Sequence, residues 1–111
     1  MTTHVGLQLQ FHLRILRFIS EHTAAGLNYP TQFAEMCRSM GSTKAVRQLF
    51  ASNMTTGLLG HDGFLAALLA NRLDMTTEYI VWSETTWRPL FPSYLDYLDH
   101  VANEWGFEVV A

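Results

Sequence analysis

Five histidines, one cysteine and ten carboxylates are the residues of this 111-residue chain from which acid–base, nucleophilic or metal chemistry could be built. Their spacing builds little of it. His4, His12, His22, His61 and His100 never stand three or four residues apart, the spacing that brings two imidazoles to one helix face, and the lone Cys37 cannot complete a metal site. A glycine-rich phosphate loop, a Gly-x-Ser-x-Gly elbow and a His-Glu-x-x-His pair are all missing from the sequence. Asp96 and His100 are four residues apart, which on a helix allows an acid–imidazole dyad, but the same spacing occurs in ordinary surface pairs. Cys37 shares an apolar helix face with Phe33, Met36 and Met40, where a thiol packs instead of reacting. The expectation is a protein without catalysis, metal or cofactor.

Two constellations point to recognition. In the first, residues 32–54 form a short helix, a Gly41-Ser42 turn and a second helix that opens with Thr43, Lys44, Arg47 and Gln48. This stretch resembles the DNA-reading unit of small winged-helix repressors, with Pro30-Thr31 as its lead-in. The resemblance covers about a third of the chain and implies Thr43, Lys44, Arg47 and Gln48 near base edges in the major groove, with Arg38 near phosphate. It departs from that pattern at Arg47, where the motif has an apolar packing residue, and seven Lys and Arg are few for neutralising many phosphates. An ordinary antiparallel helix pair produces the same spacing.

The second constellation is the aromatic segment Trp87-Arg88-Pro89-Leu90-Phe91-Pro92, which follows the Tyr79 to Trp82 run. Two prolines hold such a segment extended, and Trp82, Trp87, Leu90 and Phe91 are the large apolar side chains from which interface anchors are made. A loop folded over the core is the competing reading. Charged residues make up 15% of the chain, against about 25% in an ordinary soluble domain, so part of the surface is expected to be covered by a second copy or a partner. The preferred expectation is therefore a small regulatory protein that binds another protein, such as a transcription factor, as a homodimer. A DNA-binding regulator is the alternative.

The elements that must position these residues read as helices. From Leu7 to Glu21, the polar Gln10, Arg14, Arg17 and Glu21 fall on one narrow stripe while apolar residues spread over most of the remaining circumference, so this helix is expected to be packed on more than one side. Strict alternation from Leu7 to Ile15 offers a strand instead, but Leu16, Phe18 and Ile19 break it and the residues favour a helix. Gly26 ends this helix, and Asn28-Tyr29-Pro30-Thr31 forms a turn with Thr31 as the cap of the next. Ser42 or Thr43 caps a third helix, Thr55 to Gly60 connects, and Asp62 caps a fourth over 63–73. Glu78 to Ser83 is the most strand-like run, with a short helix capped by Asp74 as its rival. Ser93 and Asp96 open a last helix that Gly106 stops, and Phe107 to Val110 offers a second strand.

The fold expected is mainly α, a single domain of about five helices with at most a ribbon of Tyr79–Trp82 and Phe107–Val110. Basic residues gather in the first half (Arg14, Arg17, Arg38, Lys44, Arg47) and eight of ten carboxylates in the second. The halves are electrostatically complementary. A lone cysteine, no leader-like N-terminus and no long apolar run suggest the cytoplasm and no membrane.

Overall fold

Leu7, Phe11, Ile15, Phe18 and His22 recur every three or four residues and are all buried, while Leu9 and Leu13 are 61% and 59% exposed. A strand would have put all four of Leu7, Leu9, Phe11 and Leu13 on one face. The observed alternation of burial belongs to a helix, α1, which runs from His4 to Ala24. It ends in a Schellman turn: Gly26 takes φ 80°, its N–H bonds to the Thr23 carbonyl, and the Leu27 N–H reaches back to the His22 carbonyl.

The structure, a computed structural model, describes residues 4–27, 31–57 and 62–108, apart from the side chains of His4, Asp62, Gly63 and Leu65. Its elements after α1 are α2 (Thr31–Met40), α3 (Ser42–Thr56), α4 (Asp62–Leu69), α5 (Thr77–Ser83) and α6 (Leu95–Trp105), with 3₁₀ turns over Leu73–Met75, Thr85–Leu90 and Pro92–Tyr94. The fold is mainly α, and the described residues contain no strand. No helix among them is long and apolar enough to cross a membrane. The expected turn at Asn28 to Pro30, the Leu58 to Gly60 part of the connection and the Val109-Val110 end of the proposed strand lie outside the described residues, as does the side chain of the expected cap Asp62.

Four local expectations are corrected, each for a physical reason. Glu78 to Ser83 is helix, not strand, because Thr76 caps it: its Oγ1 accepts the Tyr79 N–H at 3.1 Å and donates to the Leu73 carbonyl at 2.9 Å. Asp74 is held instead by Arg72. The helix expected over 63–73 stops at Leu69 because Asn71 adopts the left-handed conformation (φ 56°) and closes a Schellman turn through Arg72 N–H and the Ala67 carbonyl. At the start of α3, Gly41 (φ 85°) is the cap residue and brings no side-chain bond; the ring of His12 on α1 accepts the Ser42 N–H at 3.3 Å. Ser93 does not cap α6, which begins at Leu95 without a side-chain cap, although Gly106 ends it in the left-handed conformation as expected.

The core joins α1, α2, α3, α5 and α6. Phe11 stands at its centre, with Trp87 and Phe91 edge-on at 5.3 and 5.2 Å and Phe50 packed on the far side of Phe91. A smaller cluster of Phe64, Val101, Leu73, Trp105 and Phe107 attaches α4 and the chain after α6. Thr76→Ala removes a buried cap and a backbone tie together, and should destabilise the fold by about 1–2 kcal/mol in urea unfolding, whereas Thr86→Ala at the exposed surface should be neutral.

Candidate functional site

The proline-framed aromatic segment is turned inward. Trp87, Leu90 and Phe91 are 8%, 0% and 0% exposed, so they are not presented to a partner as the sequence led us to expect. The segment is a 3₁₀ turn, not an extended loop, and polar groups hold it onto the core from both sides. Arg47 donates through Nε (3.0 Å) and Nη2 (2.7 Å) to the Leu90 carbonyl and lies 6.0 Å from the Phe91 ring centroid. Glu84 accepts the Trp87 indole N–H at 2.8 Å and a forked pair of bonds from Arg14 at 2.8–3.2 Å. Burial raises the Glu84 carboxyl, but the hydrogen bonds from Arg14 and Trp87 and the charges of Arg14 and Arg17 outweigh it and hold the group below the ordinary glutamate value. Trp82 is half-buried, in tilted contact with the rings of Tyr79 and Phe107, which also touch each other.

The residues of the DNA-reading alternative are not brought together as one surface. Thr43 is buried and Arg47 is committed to Leu90, leaving Arg38, Lys44 and Gln48 exposed. Cys37 is buried and its thiol is pushed up by desolvation, with a hydrogen bond to Ser42 working the other way. His100 pairs with Glu104 at 3.4 Å, not with Asp96. Among the described residues no three His, Cys, Asp or Glu side chains are gathered in a way that could hold a metal ion.

A buried polar network that sequence reasoning missed lies between α3, α5 and α6. Glu78 is 2% exposed, and its carboxylate accepts from Thr77 Oγ1 (2.7 Å), Asn53 Nδ2 (2.9 Å) and Tyr97 Oη (3.3 Å), with no cation against it among the described residues. Desolvation pushes its pKa up in spite of these donors and a hydrogen bond from its own backbone, and burial together with the Glu78 charge pushes the Tyr97 phenol up as well. Asn53 and Tyr97 also line an open groove of about 630 Å³ between the end of α3 and α6, with Asp96, His100, Glu104 and Trp105 along it. Glu78 itself is not among the residues that line this groove, and Asn53 and Tyr97 stand between the two.

The strongest surface feature is on α1. Val5, Leu9, Leu13 and Leu16 are 76%, 61%, 59% and 40% exposed. At 3.6 residues per turn they fall within an arc of about 80°, opposite the buried line of Phe11 and Phe18. The sequence did carry this signal, since the helix was expected to be packed on more than one side; among the described residues, only one side is packed. Large apolar side chains standing in a row on a helix, without charge among them, are what a protein-contact face consists of. No family model, curated protein or solved structure matches this chain.

The Glu78 network yields a pH prediction with a definite sign. Its raised pKa contributes stability that is present in full below the ordinary value of 4.5, falls as pH rises above it, and is gone once pH passes the raised value. Glu78→Gln lacks this dependence. The melting temperature of the variant relative to the native chain should therefore climb between acid and neutral pH, and a difference that stays flat would mean that Glu78 titrates as an ordinary glutamate.

Proposed function

We propose that this chain is a small non-catalytic regulatory protein of the inhibitor, antiactivator or adaptor type, which works in the cytoplasm as a homodimer and binds another protein, such as a transcription factor. The observation that carries the reading is the outward face of α1, where Val5, Leu9, Leu13 and Leu16 stand in one row at 40–76% exposure. Such a row costs solubility unless something covers it. The low charge fraction of 15% supports the same conclusion, because the surface has few charges with which to keep chains apart. The cytoplasmic setting goes with a cysteine kept as a buried free thiol.

Protein contact is preferred to DNA contact for a geometric reason. Of the five residues assigned to nucleic acid, Thr43 is buried and Arg47 already serves the Leu90 carbonyl, so the groove-reading helix α3 would have to work with Lys44 and Gln48, with Arg38 of α2 left for phosphate.

The test is a pair of charges on the face itself. Leu9→Glu with Leu13→Glu should leave the melting temperature of the fold nearly unchanged, since both positions are already more than half exposed. The same variant should run as a single chain in light scattering where the native protein runs as two, and should recover less partner from a host lysate. Native protein that is a single chain at micromolar concentration and captures the same partner as the variant would contradict the reading.

A further inference from the structure

Asn53 and Tyr97, which hold the buried Glu78 carboxylate, are also part of the wall of the open groove between the end of α3 and α6. We infer that this groove binds a small aliphatic polyamine, whose ammonium groups lie between the Asp96 and Glu104 carboxylates and against the rings of Tyr97 and Trp105. No residue of α1 lines the groove, so the site is independent of the contact face described above.

The period of α6 sets the chemistry. Asp96, His100 and Glu104 follow one another at four-residue steps, and Tyr97, Val101 and Trp105 repeat the spacing one position on, so a charged rim runs beside an apolar and aromatic wall. The two carboxylates are eight residues apart, about 12 Å along the helix, which an extended triamine spans. Neither Lys nor Arg lines the groove, and Asp96 meets no cation among the described residues. Glu104 meets His100 at 3.4 Å, and an imidazole balances its charge only when protonated.

Asn53 supplies what a pair of surface acids does not. It is 4% exposed, it lines the groove, and its Oδ1 has no hydrogen-bond partner among the described residues. A carboxylate takes only donors, so the bond to Glu78 turns Nδ2 away from the groove and leaves the carbonyl end toward it. The oxygen is closed to bulk water, and the donor it lacks has to be inserted between α3 and α6. An ammonium brings that donor and a positive charge with it. The charge also answers Glu78, a buried carboxylate whose side-chain donors Thr77, Asn53 and Tyr97 are all neutral. Methylene links fit the apolar Met54 and Val101, and cations are attracted to aromatic rings such as those of Tyr97 and Trp105.

Calorimetric titration of the native chain with spermidine, in mildly alkaline buffer where imidazole is neutral, should show saturable binding. The indole N–H signal of Trp105 should move in the NMR spectrum, while that of Trp87, bonded to Glu84 in the core, should stay. Asp96→Asn and Glu104→Gln, both at exposed positions, should each weaken binding about fivefold without changing the melting temperature. Glu78→Gln, which lies behind the wall, should weaken it too, and butylamine, with a single charge, should bind far more weakly than spermidine. Magnesium ion that displaces spermidine at equal concentration would reduce the groove to diffuse negative charge, and a trilysine peptide that binds more tightly would give it to a basic protein segment; both results overturn the polyamine site. So would a Trp105 signal that never moves, or binding indifferent to Asp96→Asn and Glu104→Gln.

Discussion

Two polar clasps decide which face of α1 is turned inward, and the rest of the molecule depends on that choice. The helix is apolar on opposite sides, and hydrophobicity by itself sets no rotation between the row of Leu7, Phe11, Ile15 and Phe18 and the row of Val5, Leu9, Leu13 and Leu16. Arg14 on one flank grips Glu84 with a forked pair of bonds, and His12 on the other takes the first free N–H of α3. With both made, Phe11 falls between Trp87 and Phe91, and the second row is left in solvent. A half-buried ion pair contributes modest stability; its larger effect is to make one of two similar packings the better one.

The same clasp explains why the aromatic segment is core. Glu84 ends α5 and holds the Trp87 indole, so anchoring Glu84 to α1 draws the whole 3₁₀ turn down over Phe11, and Arg47 fixes its far end through the Leu90 carbonyl. Two glutamates six residues apart thus serve opposite electrostatic ends. Glu84, lowered by its partners, contributes stability that is lost as pH falls through its depressed value, while Glu78, raised by burial, favours the folded state on the acid side. A buried acid satisfied by neutral donors costs stability at neutral pH, but it ties α3, α5 and α6 together at one point.

The fold class was legible because its signals are local. Apolar periodicity marked α1, α2, α3 and α6, and glycines at 26, 41 and 106 stopped helices where the backbone needs a positive φ. The errors arose where tertiary contacts override local preference. Tyr79-Ile80-Val81-Trp82 has the composition of a strand, and a threonine cap with burial of Ile80 and Val81 makes it a helix. Pro89 and Pro92 announced a rigid segment, but prolines do not say which way Trp87 and Phe91 point; Arg14 and Arg47, over forty residues away, decide that. The Glu78 network was invisible for the same reason, its partners Asn53 and Tyr97 lying 25 and 19 residues off. The outward row on α1 was seen in the sequence as an excess of apolar residues, and only the packing shows that the described residues leave it bare.

Helix α1 has one face committed to the core and one that the described residues leave uncovered. The most direct measurement follows the methyl groups of Val5, Leu9, Leu13 and Leu16 by NMR in the presence of a soluble paramagnetic agent, across a range of protein concentrations. Strong relaxation of these methyls is expected in dilute protein, with protection that grows with concentration, while Ile15 on the inner face stays protected throughout. Methyls of the outer row that are shielded even at the lowest concentration, or that remain equally exposed at the highest, would contradict it.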